Sequence, residues 1–407
     1  MDSSVLLHVL ARVRDVRKCG LRAIHVHHGL HPQADAWAAH CQQSCAAIGV
    51  PLHVVRVQVE RDAGKGLEAA ARSARLAAFR DVVADGEVLA LAHHRDDQTE
   101  TMLLRLLRGA GGDGLAAMRR RSRMGSLHLW RPLLALPRTE LQAYAEQREL
   151  QWIDDPTNAE DRFDRNFIRH RVLPMLAHRW PTASRNIARS AELLGEQAQL
   201  LDAIANRWLD DVLAGPRTLS IAGLRAHSRA QRIRIVRAWL RRLAGTAPPA
   251  RLLATLEDDL LSARSDSAAR IDWAGFALRA WRGNLHADTA SAPWPTDWLA
   301  HWDGQQALAL PDGSRLHLSG APGFPASMQV RARRGGERIR LPGRQHHHAL
   351  KHVLQDRGVP PWTRARLPLL IDADEEVLAA GTAIVSARLD AWLRDNGATL
   401  HWQAGVD

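Results

Sequence analysis

The stretch that most constrains this chain runs from Glu87 to Gly114 and reads EVLALAHHRDDQTETMLLRLLRGAGGDG. Val88–Ala92 is a short apolar run of strand length, and Thr101–Leu107 carries apolar residues at helical spacing. The polar block HHRDD lies between them, so the pattern predicts a strand, a loop and a helix. In open α/β sheets, ligands bind outside the carboxyl ends of the strands. The side chains expected at that edge are His93, His94, Asp96 and Asp97.

Asp97 and Glu100 admit two interpretations. The two carboxylates are three residues apart at a helix start, so both can face one crevice and hold a cation or an ammonium group. An acidic residue followed three positions later by Glu also resembles a capping box, and the two histidines could be satisfied polar residues at a strand end. Two histidines beside several carboxylates exceed what a cap needs, but this stretch alone leaves both interpretations open.

The sequence before this stretch alternates between helix and strand patterns. The elements expected there are an amphipathic helix directly after the N-terminus, a strand at Leu21–His27, a helix at Asp35–Ile48, a strand at Leu52–Val59 and a helix at Gly66–Val83. Such alternation predicts βαβ units, and therefore a doubly wound parallel sheet in a domain spanning residues 1–180. His27 ends the first strand. Arg72 lies on the last helix, where a solvated salt bridge is the common role for an Arg.

Two other segments of this domain carry residues suited to phosphate. Asp2, Ser3 and Ser4 precede the apolar run VLLHVLARV, and free N–H groups at a helix start favour phosphate, although the same residue types are ordinary N-caps. The second segment, Trp152–Leu176, joins a turn to a predicted helix and is rich in Arg. Arg165 and its neighbours could form an oxyanion clamp, or the segment could be a solvated linker.

The rest of the chain predicts two further domains. Residues 181–320 are expected to be mainly helical, and Gly320–Pro325 has the composition of a linker. Residues 326–407 predict a small α+β domain with a positive face, formed by Arg331, Arg333, Arg334, Arg338, Arg340 and Arg344. We expect this face to bind RNA without contributing chemistry. Three consecutive histidines in this domain point in different directions, so they do not predict a metal site.

Composition narrows the class of partner and compartment. The formal charge is +11, the pI is near 10.9 and most basic residues are Arg, which suits phosphate-bearing partners; an Arg-rich proteome is the alternative explanation. Three cysteines cannot all pair, which predicts reduced thiols in a cytoplasmic protein. The sequence has no apolar run of about 18 residues, so no membrane segment is predicted.

Several motifs occur together and in order. The chain contains VHHGL, EAAARSARLAAF, AHHRDDQTET with LLRLLRGAG, and WIDDPTN followed by F-x-RN-x-IRH. Taken together they resemble the tRNA(Ile)-lysidine synthetase family of the PP-loop ATP-pyrophosphatase superfamily. The resemblance covers the predicted first domain almost end to end, and the later GVPPW turn resembles the C-terminal domain of the same family.

The resemblance implies ligation of L-lysine to C2 of the wobble cytidine in tRNA(Ile) with a CAU anticodon, using ATP and Mg²⁺. It assigns phosphate binding to Asp2–Ser4 and Arg165, with Mg²⁺ held at Asp2 and Asp97. Asp97 and Glu100 would hold the ammonium groups of lysine. The remaining implied roles are nucleotide contacts for His27 and His93, proton handling for His93, and a carboxylate or phosphate contact for Arg72.

One departure from the family pattern concerns the phosphate loop. The family carries Ser-Gly-Gly-x-Asp-Ser at the end of its first strand, and Met1 stands at the x position. We expect an upstream apolar strand ending in Ser-Gly-Gly to precede Met1; the alternative is a damaged, inactive form. A non-catalytic tRNA-binding protein and a tRNA-thiolating relative are the competing functions, although three cysteines without CxxC disfavour thiolation. The sequence leaves a homodimer open.

Overall fold

The computed structural model describes residues 1–59, 67–261, 269–289 and 294–403. The chain forms two compact units, Met1–Asp258 and Asp259–Asp407, each with its own architecture. Cys19, Cys41 and Cys45 are free thiols. Among the described residues, no helix combines the length and the apolar character that crossing a bilayer requires.

Strands and helices alternate in the first part of unit one, which confirms the predicted α/β class. The elements are α1 (Asp2–Arg12), α2 (Arg14–Cys19), β1 (Ala23–His27), α3 (Ala34–Ala47), β2 (Leu52–Arg56), α4 (Leu67–Val82), β3 (Val88–Ala90), α5 (Arg95–Leu107), α6 (Gly112–Leu115), β4 (Arg121–Met124), β5 (Leu127–Trp130) and α7 (Arg138–Gln147). The predicted first residue of α4, Gly66, lies outside the described residues.

The strands of this part are parallel where β-α-β connections join them. β1 pairs with β2 in parallel, and β3 pairs with β5 in parallel, with β4 added antiparallel at the edge. The described strands of this part form two sheets, as is expected for a doubly wound sheet without its first strand. The segment from Asp2 to Arg12 is helical and packs on α7 through Val5, Leu6 and Leu141, so it supplies no strand between β1 and β3.

The remainder of unit one is mainly helical. Its elements are α8 (Asp164–Phe167), α9 (Leu173–Arg179), α10 (Ala183–Val212), β6 (Leu213–Gly215), β7 (Thr218–Ser220), α11 (Ile221–Arg225), α12 (Arg229–Ala244) and α13 (Ala250–Thr255), with a 3₁₀ helix at Pro156–Ala159 and π-helical turns at Ile168–Val172 and Leu256–Leu261. α10 is 30 residues long, and small buried residues such as Ala191, Gly195 and Ala198 allow it to pack closely in the unit.

Unit two is dominated by antiparallel strands. Its elements are β8 (Arg270–Trp273), β9 (Phe276–Trp281), β10 (Asn284–Thr289), β11 (Leu299–Trp302), β12 (Leu308–Ala309), β13 (Arg315–Ser319), β14 (Met328–Arg331), β15 (Arg338–Ile339), β16 (His348–Ala349), α14 (Leu350–Asp356), α15 (Pro361–Arg364), β17 (Leu369–Ile371), β18 (Val377–Ala380), β19 (Ile384–Val385), α16 (Ala387–Asp395) and β20 (Thr399–Gln403). The order β11-β14-β17-β18-β19 forms its main sheet, and β12-β13-β20 forms a second one.

The prediction that Gly320–Pro325 is a linker is wrong. Phe324 is buried in a core that contains Trp302 and Leu316 from before this segment and Val330 from after it. A Cβ added to Gly320 would lie 2.2 Å from the carbonyl oxygen of Gly397, so this glycine permits close packing. The Gly and Pro residues therefore mark a tight turn inside one core. The expected helical character of residues 181–320 also fails beyond residue 269, where the chain forms strands.

Candidate active site

The candidate site begins where β3 ends and α5 starts. The Leu91 N–H donates to the Trp130 carbonyl at 2.8 Å, and the Arg95 N–H donates to the Leu136 carbonyl at 2.8 Å, so both ends of the loop are fixed. His94 is the N-cap of α5, and its N–H donates to Asp97 Oδ2 at 2.9 Å. Asp97 thus accepts a capping bond. The predicted capping box of Asp97 with Glu100 is wrong, because the helix already starts at Arg95.

Asp97 and Glu100 meet two arginines in a partly buried ion network. Arg165 donates from Nη2 to Asp97 Oδ1 and from Nε to Glu100 Oε2, both at 2.7 Å. Arg169 donates from Nε to Glu100 Oε1 at 2.6 Å and from Nη2 to Glu100 Oε2 at 3.0 Å. The Glu100 side chain has no exposed surface. Both carboxylates reach one site, as predicted, but their partners here are guanidinium groups.

The Arg-rich segment is anchored and not a solvated linker. Asp155 caps the 3₁₀ helix by accepting the Thr157 N–H at 2.9 Å. Asn166 is buried and donates to the carbonyls of Thr157 and Glu160 at 2.9 and 3.0 Å. The WIDDPTN turn and the RN pair therefore fix the start of α8, from which Arg165 points at α5. A π-helical turn follows, a feature often found at functional sites.

His93 is held in its neutral form beside Arg131. The Arg131 Nε donates to His93 Nδ1 at 3.2 Å, so that nitrogen acts as an acceptor. Burial lowers the pKa of His93 to about 4; the charge of Asp97 opposes this shift, and the charges of Arg131, Arg165 and Arg72 reinforce it. In the neutral ring the other nitrogen, Nε2, then carries the proton and can donate a hydrogen bond to a nucleotide.

We expect this histidine to make stability depend on pH. Its folded pKa of about 4 lies below its ordinary value of 6.5, so the folded state binds fewer protons between these values. Its contribution is fully present above pH 6.5 and is lost as the pH falls toward 4. We compare the unfolding free energies of the wild type and of His93→Gln. As the pH falls from 6.5 to 4, the wild-type value should decrease by about 2–3 kcal/mol more than that of the variant. Denaturant titrations at several pH values measure this difference, and a constant difference would contradict the assignment.

His94 is buried, and three carboxylates lie close to its ring. Its ring nitrogens lie 3.5 Å from Asp96, 3.4 Å from Asp97 and 4.0 Å from Asp2. Burial alone would lower the pKa of His94, but contact with Asp96 and the charges of Asp97 and Asp2 outweigh it and raise that pKa. Asp96 also accepts the Arg138 N–H at 2.8 Å. These bonds outweigh its burial and hold the pKa of Asp96 below the usual range.

The start of α1 brings Asp2 to this cluster. The α1 N-cap is Met1, whose carbonyl accepts the N–H of Ser4 at 2.9 Å. Neither Asp2 nor the two serines provide a side-chain cap, so the ordinary N-cap interpretation is wrong. Asp2 Oδ1 is buried and accepts no hydrogen bond from any described residue. It is therefore an available oxygen ligand beside a helix N-terminus.

His27 and Arg72 are placed differently. His27 is buried at the carboxyl end of β1, with Nε2 3.3 Å from Asp35, so its contact in this structure is with that carboxylate. Arg72 is exposed on α4, yet its charge contributes to lowering the pKa of His93, Arg131 and Arg105. The charge of Arg72 therefore acts on the crevice, whereas His27 belongs to the neighbouring sheet edge.

Arg131 was missed by the sequence reasoning. It is buried and donates to Ser122 Oγ and to the Arg119 carbonyl at 2.9 Å, besides its bond to His93. Its place directly after the strand LHLW was the available signal, because residues that follow parallel strands meet at one sheet edge. Ser184, which donates to Asp96 at 3.1 Å, lies in a helical run and carried no such signal.

Comparison with known proteins agrees with this architecture. Residues 1–176 match the PP-loop domain, residues 219–286 the TilS substrate binding domain, and residues 328–402 the TilS substrate C-terminal domain. A tRNA(Ile)-lysidine synthase of Xanthomonas campestris pv. campestris strain 8004 is 52% identical over 408 residues, covering 100% of this chain and 94% of the relative. One from Methylococcus capsulatus strain Bath is 40% identical over 380 residues, covering 91% of this chain and 87% of the relative.

An α/β domain with phosphate-suited groups at the ends of its strands, matched over residues 1–176, defines a PP-loop ATP-utilising enzyme. These two relatives are 52% and 40% identical to this chain over nearly its whole length, which is sufficient to show that all three belong to one family. The chain belongs to the tRNA(Ile)-lysidine synthase family, whose members modify tRNA.

Proposed function

We propose that this protein ligates L-lysine to C2 of the wobble cytidine in tRNA(Ile) with a CAU anticodon, consuming ATP and using Mg²⁺. Similarity to tRNA(Ile)-lysidine synthases across the full chain carries the proposal. The crevice that joins Asp97, Glu100 and Arg165 supports it, because it offers charges of both signs to a substrate with phosphates and ammonium groups.

The chemistry needs activation of a poor electrophile. The C2 oxygen of cytidine attacks the α-phosphorus of ATP, a P–O bond forms, and pyrophosphate leaves. The lysine amine then forms a C–N bond at C2, the C–O bond breaks, and AMP leaves with that oxygen. The amine gives up one proton to a carboxylate of the crevice or to water, because His93 is a weak base: its pKa is about 4 and its Nδ1 already accepts from Arg131. Positive groups placed where phosphate charge develops lower both barriers.

The phosphates are assigned to the N-terminus of α1 with Ser3 and Ser4, and to Arg165. Mg²⁺ in nucleotide sites is commonly held by one or two carboxylates plus phosphate oxygens and water. Asp2 fits such a role, because its buried Oδ1 has no hydrogen-bond donor among the described residues. Asp97 fits only after Arg165 moves, because its two oxygens already accept from Arg165 and the His94 N–H. When bound, Mg²⁺ would offset the phosphate charge.

The lysine site requires an exchange of partners. Asp97 and Glu100 carry two negative charges, and Arg165 with Arg169 carries two positive ones, so the cluster is formally neutral. An incoming ammonium would add an unpaired charge unless one guanidinium leaves. We infer that Arg165 turns toward the phosphates, which removes the closest cation from Asp97 Oδ1 and leaves Arg169 Nη2 3.5 Å from that oxygen. Arg169 then continues to hold the fully buried Glu100.

Stoichiometry tests the proposal. With tRNA(Ile) carrying CAU, the protein should release one AMP and one pyrophosphate for each lysine incorporated. Without lysine, pyrophosphate should still be released in the first step, but AMP should not be released. AMP release in steady turnover without lysine would contradict the second step.

The second unit is proposed to bind the tRNA backbone. Arg331 and Arg333 are not on a free face as predicted, because both side chains are largely buried near Glu337. Arg338 and Arg340 are exposed on either side of the buried Ile339, so they share one face. These two arginines are the better candidates for phosphate contacts.

We expect Arg338→Ala and Arg340→Ala each to flatten the salt dependence of tRNA binding. Each lost phosphate contact should reduce the slope of log affinity against log salt by about one. Filter binding at several salt concentrations measures this slope. Point substitutions are preferable to removing residues 328–407, because that removal would open the core around Phe324. An unchanged slope in both variants would show that these charges do not contact the RNA.

A further inference from the structure

Arg131 is a buried cation whose hydrogen-bond partners in the described structure are neutral. Its Nε donates to His93 Nδ1 at 3.2 Å, and its Nη1 donates to the Arg119 carbonyl and to Ser122 Oγ, both at 2.9 Å. A buried charge without a counter-charge is costly, so its retention indicates a role in binding an anion or in positioning another group. The proposed ligation of lysine has so far given this residue no role.

The position of Arg131 relative to His93 is fixed by the strands. β3 pairs in parallel with β5, with Ala90 opposite Trp130, so the residues that follow the two strands lie at one sheet edge. The Arg131 N–H also donates to the Arg120 carbonyl at 2.8 Å. Arg131 is 8% exposed, whereas His93 is only partly buried. The imidazole can therefore reach a ligand, while the guanidinium contacts it from the protein interior.

The bond between these two side chains decides which nitrogen of His93 carries the proton. A guanidinium can only donate, so Nδ1 must accept and the neutral ring carries its proton on Nε2. In a histidine that acts as a general base the polarity is reversed, because a carboxylate accepts from Nδ1–H and leaves Nε2 without a proton. His93 is therefore arranged as a hydrogen-bond donor.

Positive charge around this ring favours an anionic acceptor. Burial lowers the pKa of Arg131, and the charges of Arg72 and Arg105 lower it further, so these cations act on one another. Arg105 donates to the carbonyls of Gly114 and Ala117, which are neutral acceptors. A phosphate suits such a region. The carboxylate of a free amino acid suits it less, because its ammonium group would enter the same positive region.

We propose that Arg131 is a positioning residue: its bond to Nδ1 fixes His93 as a donor from Nε2–H to a phosphate oxygen of ATP or of the tRNA. Arg131 itself touches neither substrate. A neutral imidazole aimed at developing negative charge can stabilise that charge without giving up its proton. The effect on reaction rate rests on the proposed function, whereas the tautomer of His93 is a property of the free protein.

Nitrogen-15 NMR of protein labelled at histidine tests the tautomer, and the signals of His93 are those lost in His93→Gln. At neutral pH the wild type should carry the proton on Nε2 alone. Arg131→Met should give a mixture of tautomers, and Arg131→Lys should restore one, because an ammonium also only donates. Arg123→Gln is the control, since Arg123 is exposed on β4 and bonds to the Gly125 carbonyl; it should leave these signals unchanged. A wild-type proton on Nδ1, or wild-type signals in Arg131→Met, would overturn the proposal.

Titration of the labelled protein identifies the acceptor. ATP with Mg²⁺, tRNA, or the two together should shift the Nε2 signal of His93, and the separate additions show which substrate supplies the phosphate. A shift caused by lysine alone would assign a carboxylate instead, and no shift with any substrate would remove the donor role. Either result contradicts the proposal.

Single-turnover incorporation of lysine provides a second readout that does not depend on the folding of the Arg131 variants. Glutamine at position 93 places an amide N–H near the position of Nε2, and asparagine places it nearer Nδ1. His93→Gln should therefore react about tenfold faster than His93→Asn. Equal rates, or a faster His93→Asn, would exclude the donor role. Failure of the proposed function has a different signature, because the wild type would then incorporate no lysine while the NMR results stood unchanged.

Discussion

Glu100→Gln should lower the free energy of unfolding by about 3 kcal/mol, near the lower end of what breaking a buried ion pair costs. Glu100 is fully buried and accepts bonds from Arg165 and Arg169. A glutamine keeps one acceptor oxygen but turns an N–H group toward the second guanidinium. The two Arg side chains retain 29% and 24% exposure, so water offsets part of the loss. Denaturant titration at neutral pH measures the change.

Glu140→Gln is the matched control. Glu140 is an exposed glutamate in the first turn of α7 in the same unit, so its replacement should change stability by no more than about 0.5 kcal/mol. If both variants shift the unfolding midpoint equally, the ion network does not stabilise the fold. Reduced stability also means that activity of Glu100→Gln must be measured well below its melting temperature.

Arg165→Lys should reduce lysine incorporation by about 10³-fold, the lower range for an Arg that stabilises phosphoryl transfer. In the structure, Arg165 uses Nε and Nη2 to bridge Glu100 and Asp97. A lysine ammonium is a point charge and cannot make this two-armed contact or its counterpart on a phosphate. Because Arg169 still holds Glu100, the fold should survive. Single-turnover incorporation at saturating tRNA separates this chemical defect from weaker binding.

Arg171→Lys provides the comparison on the same helical segment. The Arg171 side chain is 69% exposed and pairs with Asp161, away from the carboxylates of α5. It should incorporate lysine at a rate within about twofold of the wild type, as expected for an exposed ion pair. Retention of a third or more of wild-type activity by Arg165→Lys would exclude Arg165 from the phosphate role.

Local patterns were sufficient to predict the α/β alternation and the sheet edge at which the candidate site residues lie. The strand at Val88 and the helix that follows it could be located from apolar spacing, and the polar block between them identified His93 and Asp97. Helical spacing also indicated that Asp97 and Glu100 reach one site. These features depend on short-range periodicity, which a single sequence records directly.

Partners that are distant in the sequence could not be predicted in the same way. The bonds from Arg165 and Arg169 to Glu100 span 65 and 69 positions, and no local pattern indicates that both guanidinium groups saturate a carboxylate. Nor does composition distinguish a linker from a tight turn in a core, which is why Gly320–Pro325 was misassigned. Arg131 had a local signal in its place directly after a strand, but its bond to His93 depends on tertiary pairing of β3 with β5.

The most direct test of the central claim is the mass of the wobble nucleoside after reaction. Purified protein is incubated with ATP, Mg²⁺, isotopically labelled lysine and tRNA(Ile) carrying CAU, and the tRNA is then digested to nucleosides. We expect one labelled lysine per tRNA on the wobble cytidine, with no label when that cytidine is replaced by uridine or when ATP is omitted. An unmodified wobble cytidine, in a preparation that binds the tRNA and ATP, would contradict the assignment of this chain as a lysine ligase.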